Sequence, residues 1–273
     1  MLYLYFVIEY IKYLDYNCIQ VELYSMNFLK SIPSLLWKIW LVICFVLPFF
    51  MLFPFFYLSL ITKQFSLVFK LKRLWSRLIC FGAFLYPKIR YESKKYKLPS
   101  PCIIVSNHTS YLDILFIPFY IDHAAAFIAK AELLKIPLFK YFFVYLDIPV
   151  NRKSITGSHK AFSDAGKKID EGLSIIIYPE GTIHDKGKLG SFKNGAFKLA
   201  IEKQVPIIPS VNLNNWWFFE DFGFLKSNGR PGFPEIIVGD PIITKGMTEK
   251  NVNELKEKVY TFIKLELDKF NGK

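Results

Sequence analysis

The residues SNHTSYLD at positions 106–113 combine two side chains that can carry acid–base chemistry. His108 is one of four histidines in the 273-residue chain, and Asp113 follows it five positions later. A carboxylate that accepts a hydrogen bond from one ring nitrogen of a histidine fixes the tautomer and leaves the other nitrogen free as a base. Five residues along a helix correspond to a rotation of about 140°, so the side chains meet only if the histidine precedes the helix and folds back over its first turn.

The spacing alone leaves a second interpretation open. The aspartate also suits the first turn of a helix, where a negative charge interacts favourably with the helix dipole, and the histidine is then an ordinary loop residue. The apolar run at 102–106 predicts a strand, and Thr109 or Ser110 can cap a predicted helix over 110–120. His108 then lies at the carboxyl end of a strand, where open α/β sheets bind ligands.

A second group of polar residues favours the chemical interpretation. Glu180 and Gly181 follow a predicted strand at 174–178, where a carboxylate can bind hydroxyls and exposed backbone amides can bind anions. Lys193 precedes a predicted helix, and Arg152 follows another predicted strand. Both basic residues suit a phosphate group. Together these positions form a set of acid–base and phosphate-binding type.

The chain after residue 98 alternates short β-rich runs with helical ones. Apolar runs without strict alternation predict strands covered on both faces, and their alternation with helices predicts an α/β fold with a mixed, largely parallel sheet flanked by helices. The predicted strands are 102–106, 125–129, 146–150, 174–178, 206–212 and 235–239. The predicted helices are 110–120, 138–145, 155–171, 194–203 and 249–268.

The region before this domain predicts a membrane attachment. Residues 39–61 run 23 positions without a charge, enough to cross the ~30 Å hydrocarbon core of a bilayer as a helix. Pro48 and Pro54 would kink that helix, so a membrane helix and a helical hairpin both remain open. Residues 62–98 carry ten Lys or Arg and one acid, and 64–81 is amphipathic at helical spacing, which is typical of a helix on an anionic membrane surface. Its predicted apolar side is Leu67, Leu71, Leu74, Trp75 and Leu78.

Charge and cysteine content narrow the class of partner. The net charge of +12 predicts an anionic partner. Because the basic stretch adjoins the membrane segment and no nucleic-acid-binding motif occurs, anionic lipid is favoured over nucleic acid. The four cysteines are widely spaced, and H-E-x-x-H is absent, so no metal site is predicted.

These patterns predict four segments along the chain. Residues 1–25 carry neither a membrane-length run nor a basic targeting region, so the natural start is expected at Met26. The positive-inside rule predicts that the α/β domain faces the cytoplasm from the inner (cytoplasmic) membrane. The segments are 1–38 (N-terminal), 39–61 (membrane), 62–98 (basic and interfacial) and 99–273 (α/β domain).

The polar motifs, in their order over residues 100–215, resemble those of the glycerolipid acyltransferase family, whose members include 1-acylglycerol-3-phosphate acyltransferases. The matching residues are Asn107, His108, Ser110 and Asp113 of an N-H-x-S-x-x-D pattern, Arg152, Tyr178 to Thr182 of an F-P-E-G-T pattern, Phe192 to Phe197 of an F-K-x-G-A-F pattern, and the apolar block 205–211. One position departs from the family, since Ile183 stands where arginine often follows E-G-T.

The resemblance implies transfer of a fatty acyl group from acyl-CoA or acyl carrier protein to the hydroxyl of a membrane lysophospholipid, with the acyltransferase fold and no cofactor beyond the donor. His108 would be the base, and Asp113 would orient it and stabilise the imidazolium. The implied substrate-binding residues are Arg152, Glu180, Gly181, Thr182 and Lys193, with Asn107 and Ser110 in support. Ile183 keeps other acceptors open: glycerol 3-phosphate, another lysophospholipid or a lyso-aminolipid. A non-enzymatic lipid-binding protein is the alternative of another class.

Overall fold

The computed structural model describes residues 2–94, 97–151, 154–184, 187–220 and 227–272, with side chains from residue 32 onward except at 155. The helices are α1 (Leu2–Ile61), α2 (Phe65–Gly82), α3 (Leu112–Phe116), α4 (Lys140–Tyr145), α5 (Ile155–Asp170), α6 (Gly195–Glu202) and α7 (Val252–Asn271). The strands are β1 (Lys88–Tyr91), β2 (Ile103–Ser106), β3 (Ala125–Lys130), β4 (Ile148–Val150), β5 (Ser174–Ile177), β6 (Ile207–Asn212) and β7 (Glu235–Val238).

Seven strands within the described residues form one sheet in the order β1-β7-β6-β2-β5-β3-β4. The strands from β6 to β4 pair in parallel, β7 joins β6 antiparallel, and β1 pairs parallel with β7. The central strands β2 and β6 are buried at every residue. Their continuous apolar runs fit this burial, since a parallel sheet is covered on both faces. The predicted mixed, largely parallel sheet is confirmed.

The helices form two layers, one on each face of the sheet. The connections β2–β3 and β3–β4 step along the sheet in one direction, whereas β4–β5 and β5–β6 step back. Right-handed crossovers therefore place α3 and α4 on one face and α5 and α6 on the other. The packing agrees, because α6 contacts α5 and α7, whereas α1 contacts α2 and α4. The chain thus leaves β2 and β5 towards opposite faces, which opens a crevice between their carboxyl ends.

The interfacial region predicted at 62–98 also contains part of the sheet, so the sheet begins earlier than the predicted boundary at 99. Strand β1 is an edge strand whose residues alternate between exposed and half-buried positions. Lys88 and Arg90 are the exposed residues of this strand. Edge strands tolerate such charges, which block further pairing. A charged edge strand and a basic surface region have the same composition, and the sequence interpretation did not separate them.

The first two helices form a hairpin. Helix α1 continues through Pro48 and Pro54 to Ile61, and α2 packs back along it. Within the described residues, one helix, Ile32–Ile61, is long and apolar enough to cross a membrane, with a mean hydropathy of 2.5. The start predicted at Met26 falls outside the residues whose side chains the structure describes.

Helix α2 presents different residues to the protein and to its surroundings. The exposed face is a stripe of Leu67, Leu74, Leu78 and Phe81, which share one side at helical spacing. The prediction that Trp75 belongs to the same face is wrong, because this side chain is buried and donates a hydrogen bond to the Phe45 carbonyl of α1 at 2.9 Å. Helix α2 therefore keeps an exposed apolar face although its other side packs against α1.

A buried ion pair ties α2 to the α/β domain. The Lys72 ammonium bonds both carboxylate oxygens of Asp147 at 2.9 and 3.0 Å, and both residues are 8% exposed. One of these oxygens also accepts the Phe127 N–H of β3 at 3.0 Å. Removal of one member of a buried pair leaves an uncompensated charge, which is far costlier than loss of a surface pair.

We expect Lys72→Met to lower the free energy of unfolding by about 3–5 kcal/mol, because Asp147 is left buried without a counter-ion. The control is Lys70→Met, an exposed lysine two residues away on the same helix. Equilibrium unfolding of both variants in one detergent measures the difference. Equal stability of the two variants would contradict the role of the ion pair.

Candidate active site

His108 and Asp113 form a hydrogen-bonded dyad at the carboxyl end of β2. The ring Nδ1 lies 2.9 Å from Asp113 Oδ2, and the two residues are 7% and 0% exposed. A carboxylate can only accept, so Nδ1 donates and Nε2 of the neutral ring carries a free lone pair. The histidine precedes α3 and the aspartate lies in its first turn.

The start of α3 differs from the prediction. The helix begins at Leu112 rather than 110, and the backbone N–H groups of Thr109 and Ser110 donate to Asp113 Oδ2 at 2.6 and 3.0 Å. The aspartate side chain thus binds the backbone donors ahead of the helix, and the Ser110 hydroxyl accepts the N–H of Leu112, the first helical residue. The helix also ends early, at Phe116, because Pro118 in the following turn lacks an N–H for the helical ladder.

Asn215 completes the dyad and was missed by the sequence interpretation. Its Nδ2 donates to Asp113 Oδ1 at 2.7 Å, and the residue is fully buried. It lies in a 3-10 turn, Asn215–Trp217, just beyond the carboxyl end of β6. The only sequence signal was a group of asparagines directly after an apolar strand. Asp113 thus has both oxygens held by donors from two neighbouring strand ends.

Glu180 links the dyad to two other segments. Its Oε1 accepts the His108 backbone N–H at 2.7 Å, and its Oε2 accepts the Gly190 N–H at 2.6 Å. The imidazole Nε2 of His184 lies 3.6 Å from the same Oε2. The residue is 6% exposed, and burial raises the pKa of its carboxyl although the two backbone N–H groups oppose this shift. In this structure Glu180 positions the backbone that carries the histidine.

Tyr178 supports the imidazole from the side. The rings of Tyr178 and His108 stack with centroids 4.1 Å apart and an interplanar angle of 19°. A phenylalanine, as in the family pattern, could stack in the same way. The tyrosine hydroxyl is buried without a hydrogen-bond partner among the described residues. Burial raises the pKa of this hydroxyl well above its ordinary value of 10.0, which keeps it neutral.

The predicted supporting residues act on the backbone around the dyad. Asn107 continues the pairing of β2 with β6, since its side chain accepts the Asn212 N–H at 2.7 Å and donates to the Asn212 carbonyl at 3.0 Å. Ser110 Oγ donates to the Phe219 carbonyl at 2.7 Å and accepts the Leu112 N–H at 3.1 Å. Asn107 thus joins the end of β2 to the end of β6, and Ser110 joins the following loop to the segment after β6.

Of the remaining predicted substrate-binding residues, Gly181, Thr182 and Lys193 lie around the turn after β5. Gly181 has φ +77°, and a Cβ there would lie 2.9 Å from Lys193 Nζ, which places the ammonium directly over the turn. This conformation and this proximity both favour glycine. Thr182 is exposed beside it. Arg152 lies outside the described residues.

Comparison with known proteins agrees with this geometry. An acyltransferase family model matches residues 88–212. A 1-acyl-sn-glycerol-3-phosphate acyltransferase of Haemophilus influenzae is 32% identical over 185 residues, which cover 64% of this chain and 70% of the relative.

The chain belongs to the acyltransferase family. A human relative named 1-acyl-sn-glycerol-3-phosphate acyltransferase beta is 35% identical over 166 residues, 60% of this chain and 59% of the relative. The crystal structure of the Thermotoga maritima 1-acyl-sn-glycerophosphate acyltransferase PlsC shares the fold, with a TM-score of 0.72 at 24% identity over 89% of this chain and 98% of that one. The acyltransferase match begins at β1, the strand missed from the sequence.

We expect His108→Ala to lower kcat by about 10²–10⁴-fold, the usual contribution of a general base. His123→Ala is the control, because His123 bonds Ser174 Oγ at the amino end of β5 and lies at the opposite edge of the sheet. Steady-state acyl transfer by both variants, with unfolding midpoints to verify the fold, gives the comparison. Turnover by a folded His108→Ala protein at the wild-type rate would rule out the assigned base.

The stability of the protein should depend on pH through Glu180. Because the folded pKa is raised above 4.5, the folded protein binds this proton more tightly than the unfolded chain. The stabilising contribution is full below that value and is lost as the pH rises through the folded pKa.

Glu180→Gln cannot titrate. Between pH 4.5 and about pH 7, we expect the unfolding free energy of the wild type to fall relative to that of the variant. Equilibrium unfolding of both proteins across this range measures the difference. A constant difference between the two proteins would contradict the raised pKa.

Proposed function

We propose that this acyltransferase transfers a fatty acyl group from acyl-CoA or acyl carrier protein to the free hydroxyl of 1-acylglycerol 3-phosphate, which makes phosphatidic acid. The observation that carries the proposal is the buried dyad of His108 and Asp113, held at the carboxyl edge of the sheet with Nδ1 occupied. Relatives with 35% and 32% identity carry the name of this activity, which supports the choice of acceptor.

The geometry supports direct transfer through general-base catalysis. His108 Nε2 removes the proton from the acceptor hydroxyl as its oxygen attacks the thioester carbonyl. Asp113, itself held by Asn215, stabilises the imidazolium that forms. Collapse of the tetrahedral intermediate breaks the carbon–sulfur bond, and the imidazolium returns its proton to the leaving thiolate. The donor carbonyl becomes the new ester, and no acyl-enzyme is required.

Basic residues near the dyad suit the phosphate of the acceptor. Lys193 stands over the turn at Gly181, and Arg152 is proposed as a second ligand from the end of β4. A cationic side chain at either position binds a phosphate through charge-assisted hydrogen bonds. Ile183, which replaces an arginine of the family pattern, removes one such ligand. The acceptor therefore has to be tested directly.

The helical hairpin is the proposed membrane attachment. Helix Ile32–Ile61 exposes many large apolar side chains, among them Trp40, Phe50 and Phe55. The exposed stripe of α2 continues this apolar surface, and Lys70 and Arg77 are exposed on the same helix. A basic amphipathic helix beside a membrane helix suits an anionic cytoplasmic leaflet. This arrangement holds the enzyme where a lysophospholipid resides.

Purified protein in mixed micelles should acylate 1-acylglycerol 3-phosphate with a kcat/KM at least about tenfold above that for lysophosphatidylcholine, glycerol 3-phosphate or a lyso-aminolipid. Product analysis with one labelled acyl-CoA across the four acceptors measures the preference. A higher kcat/KM for a phosphate-free lysolipid would overturn the choice of acceptor. Absence of acyl transfer to every acceptor would favour a lipid-binding role instead.

A further inference from the structure

A groove runs between α5 and α6 from the turn after β5 to the protein surface. Its inner part has a volume of about 160 Å³ and an apolar floor, and its wider outer part has about 700 Å³. The outer volume lies in the range of small-molecule sites. The inner floor is formed by Ile128, Val150, Ile177, Ala196 and Leu199. The outer rim includes Ser158, His159, Lys198, Glu202 and Glu249.

The two parts adjoin each other. Ser158, Phe162 and Gly195 line both of them. At its inner end the groove is walled by Tyr178, whose ring stacks on the catalytic His108 at 4.1 Å. Lys193 also lines this end. A molecule lying in the groove would therefore end against Tyr178, the residue that stacks on the imidazole.

The groove opens on the face of the sheet opposite the helical hairpin. Helices α5 and α6 cover one face, whereas α1 and α2 pack with α4 and with the turn at 117–119 on the other. A lipid acceptor held in the membrane reaches the crevice from the hairpin side. The groove offers a separate entrance, from the side on which a water-soluble donor arrives.

We propose that this groove binds the phosphopantetheine arm of the acyl donor, the segment that coenzyme A and acyl carrier protein share. The inference rests on the proposed use of an acyl thioester. The arm alternates methylene groups with amides and ends in a phosphate, which suits an apolar floor and a polar rim. Lys193 lies at the inner end of the groove, and the outer rim carries Lys198 together with Glu202 and Glu249. The apolar floor thus suits the methylene groups of the arm, and the polar rim suits its amides.

The acyl chain fits this channel less well. A hydrocarbon in the outer part would lie against charged groups such as the pair of Lys198 and Glu249, 3.2 Å apart, and burial of charge against hydrocarbon is costly. The phosphopantetheine arm would leave those charged side chains hydrated and place only its methylene groups against the apolar floor. The acyl chain is therefore the competing occupant that the experiment must separate.

Ser158→Trp fills the groove from an exposed position on α5, and Ser163→Trp places the same side chain on another exposed face of that helix, outside the groove. Gly195→Phe is a second obstruction, since a Cβ at Gly195 meets nothing within 4 Å. Each protein is assayed with palmitoyl-CoA and with palmitoyl N-acetylcysteamine, which carries the same acyl group but lacks most of the arm.

The measured quantity is kcat/KM for the CoA thioester divided by that for the truncated thioester. We expect this ratio to fall at least about tenfold in Ser158→Trp and Gly195→Phe and to stay within about twofold in Ser163→Trp. An unchanged ratio in the two obstructed variants would overturn the proposal. So would an equal loss with both donors, or a shift in chain-length preference across a series of truncated thioesters, because either outcome assigns the groove to the acyl chain.

Assays use the acceptor that the wild type acylates fastest. Failure of the wild type to acylate lysophosphatidic acid therefore counts against the proposed acceptor and not against the groove. A wild type that uses no acyl thioester at all would overturn both. Unfolding midpoints identify a variant that has failed to fold. If one of the two obstructed variants does not fold, the ratio measured for the other one tests the proposal.

Discussion

The carboxylate of Asp113 is the group on which the architecture of the site depends. It is fully buried, and a buried charge is tolerated only when hydrogen bonds replace its hydration. Those bonds come from the ring of His108, from the two backbone N–H groups that follow it, and from Asn215 beyond β6. The charge is therefore satisfied only when β2 and β6 lie side by side. The pairing of the central strands is therefore what brings the donors around Asp113 together.

The same requirement extends to the other side of the site. Glu180, which follows β5, is buried and accepts N–H groups from His108 and Gly190. His108 is thus held through its ring by one carboxylate and through its backbone by another. The two carboxylates lie on either side of the crevice where the chain leaves β2 and β5 towards opposite faces of the sheet. That crevice lies between the two helical layers.

Several features followed from local chemistry and were predictable. Apolar runs identified the strands from β2 to β7, and the strand-end position of His108 predicted its contact with Asp113 in the first helical turn. Other features depended on distant packing. Strand β1 resembled a basic surface segment because an edge strand need bury only one side. The Lys72–Asp147 pair joins residues 75 positions apart, so nothing near either residue marks it. Asn215 was invisible for the same reason, as its partner lies 102 positions away.

The sequence by itself determined the class of sheet, the apolar helix at the N-terminus and the pairing of His108 with Asp113, because periodicity and short motifs record local constraints. Only the tertiary structure decided which groups surround that pair. Glu180 was expected to meet substrate, yet both of its oxygens receive backbone N–H groups. Tyr178 matched the first position of the F-P-E-G-T pattern without an assigned role, and its ring stacks on the imidazole of His108. Such roles are set by which strands become neighbours, and strand order is a property of the whole chain.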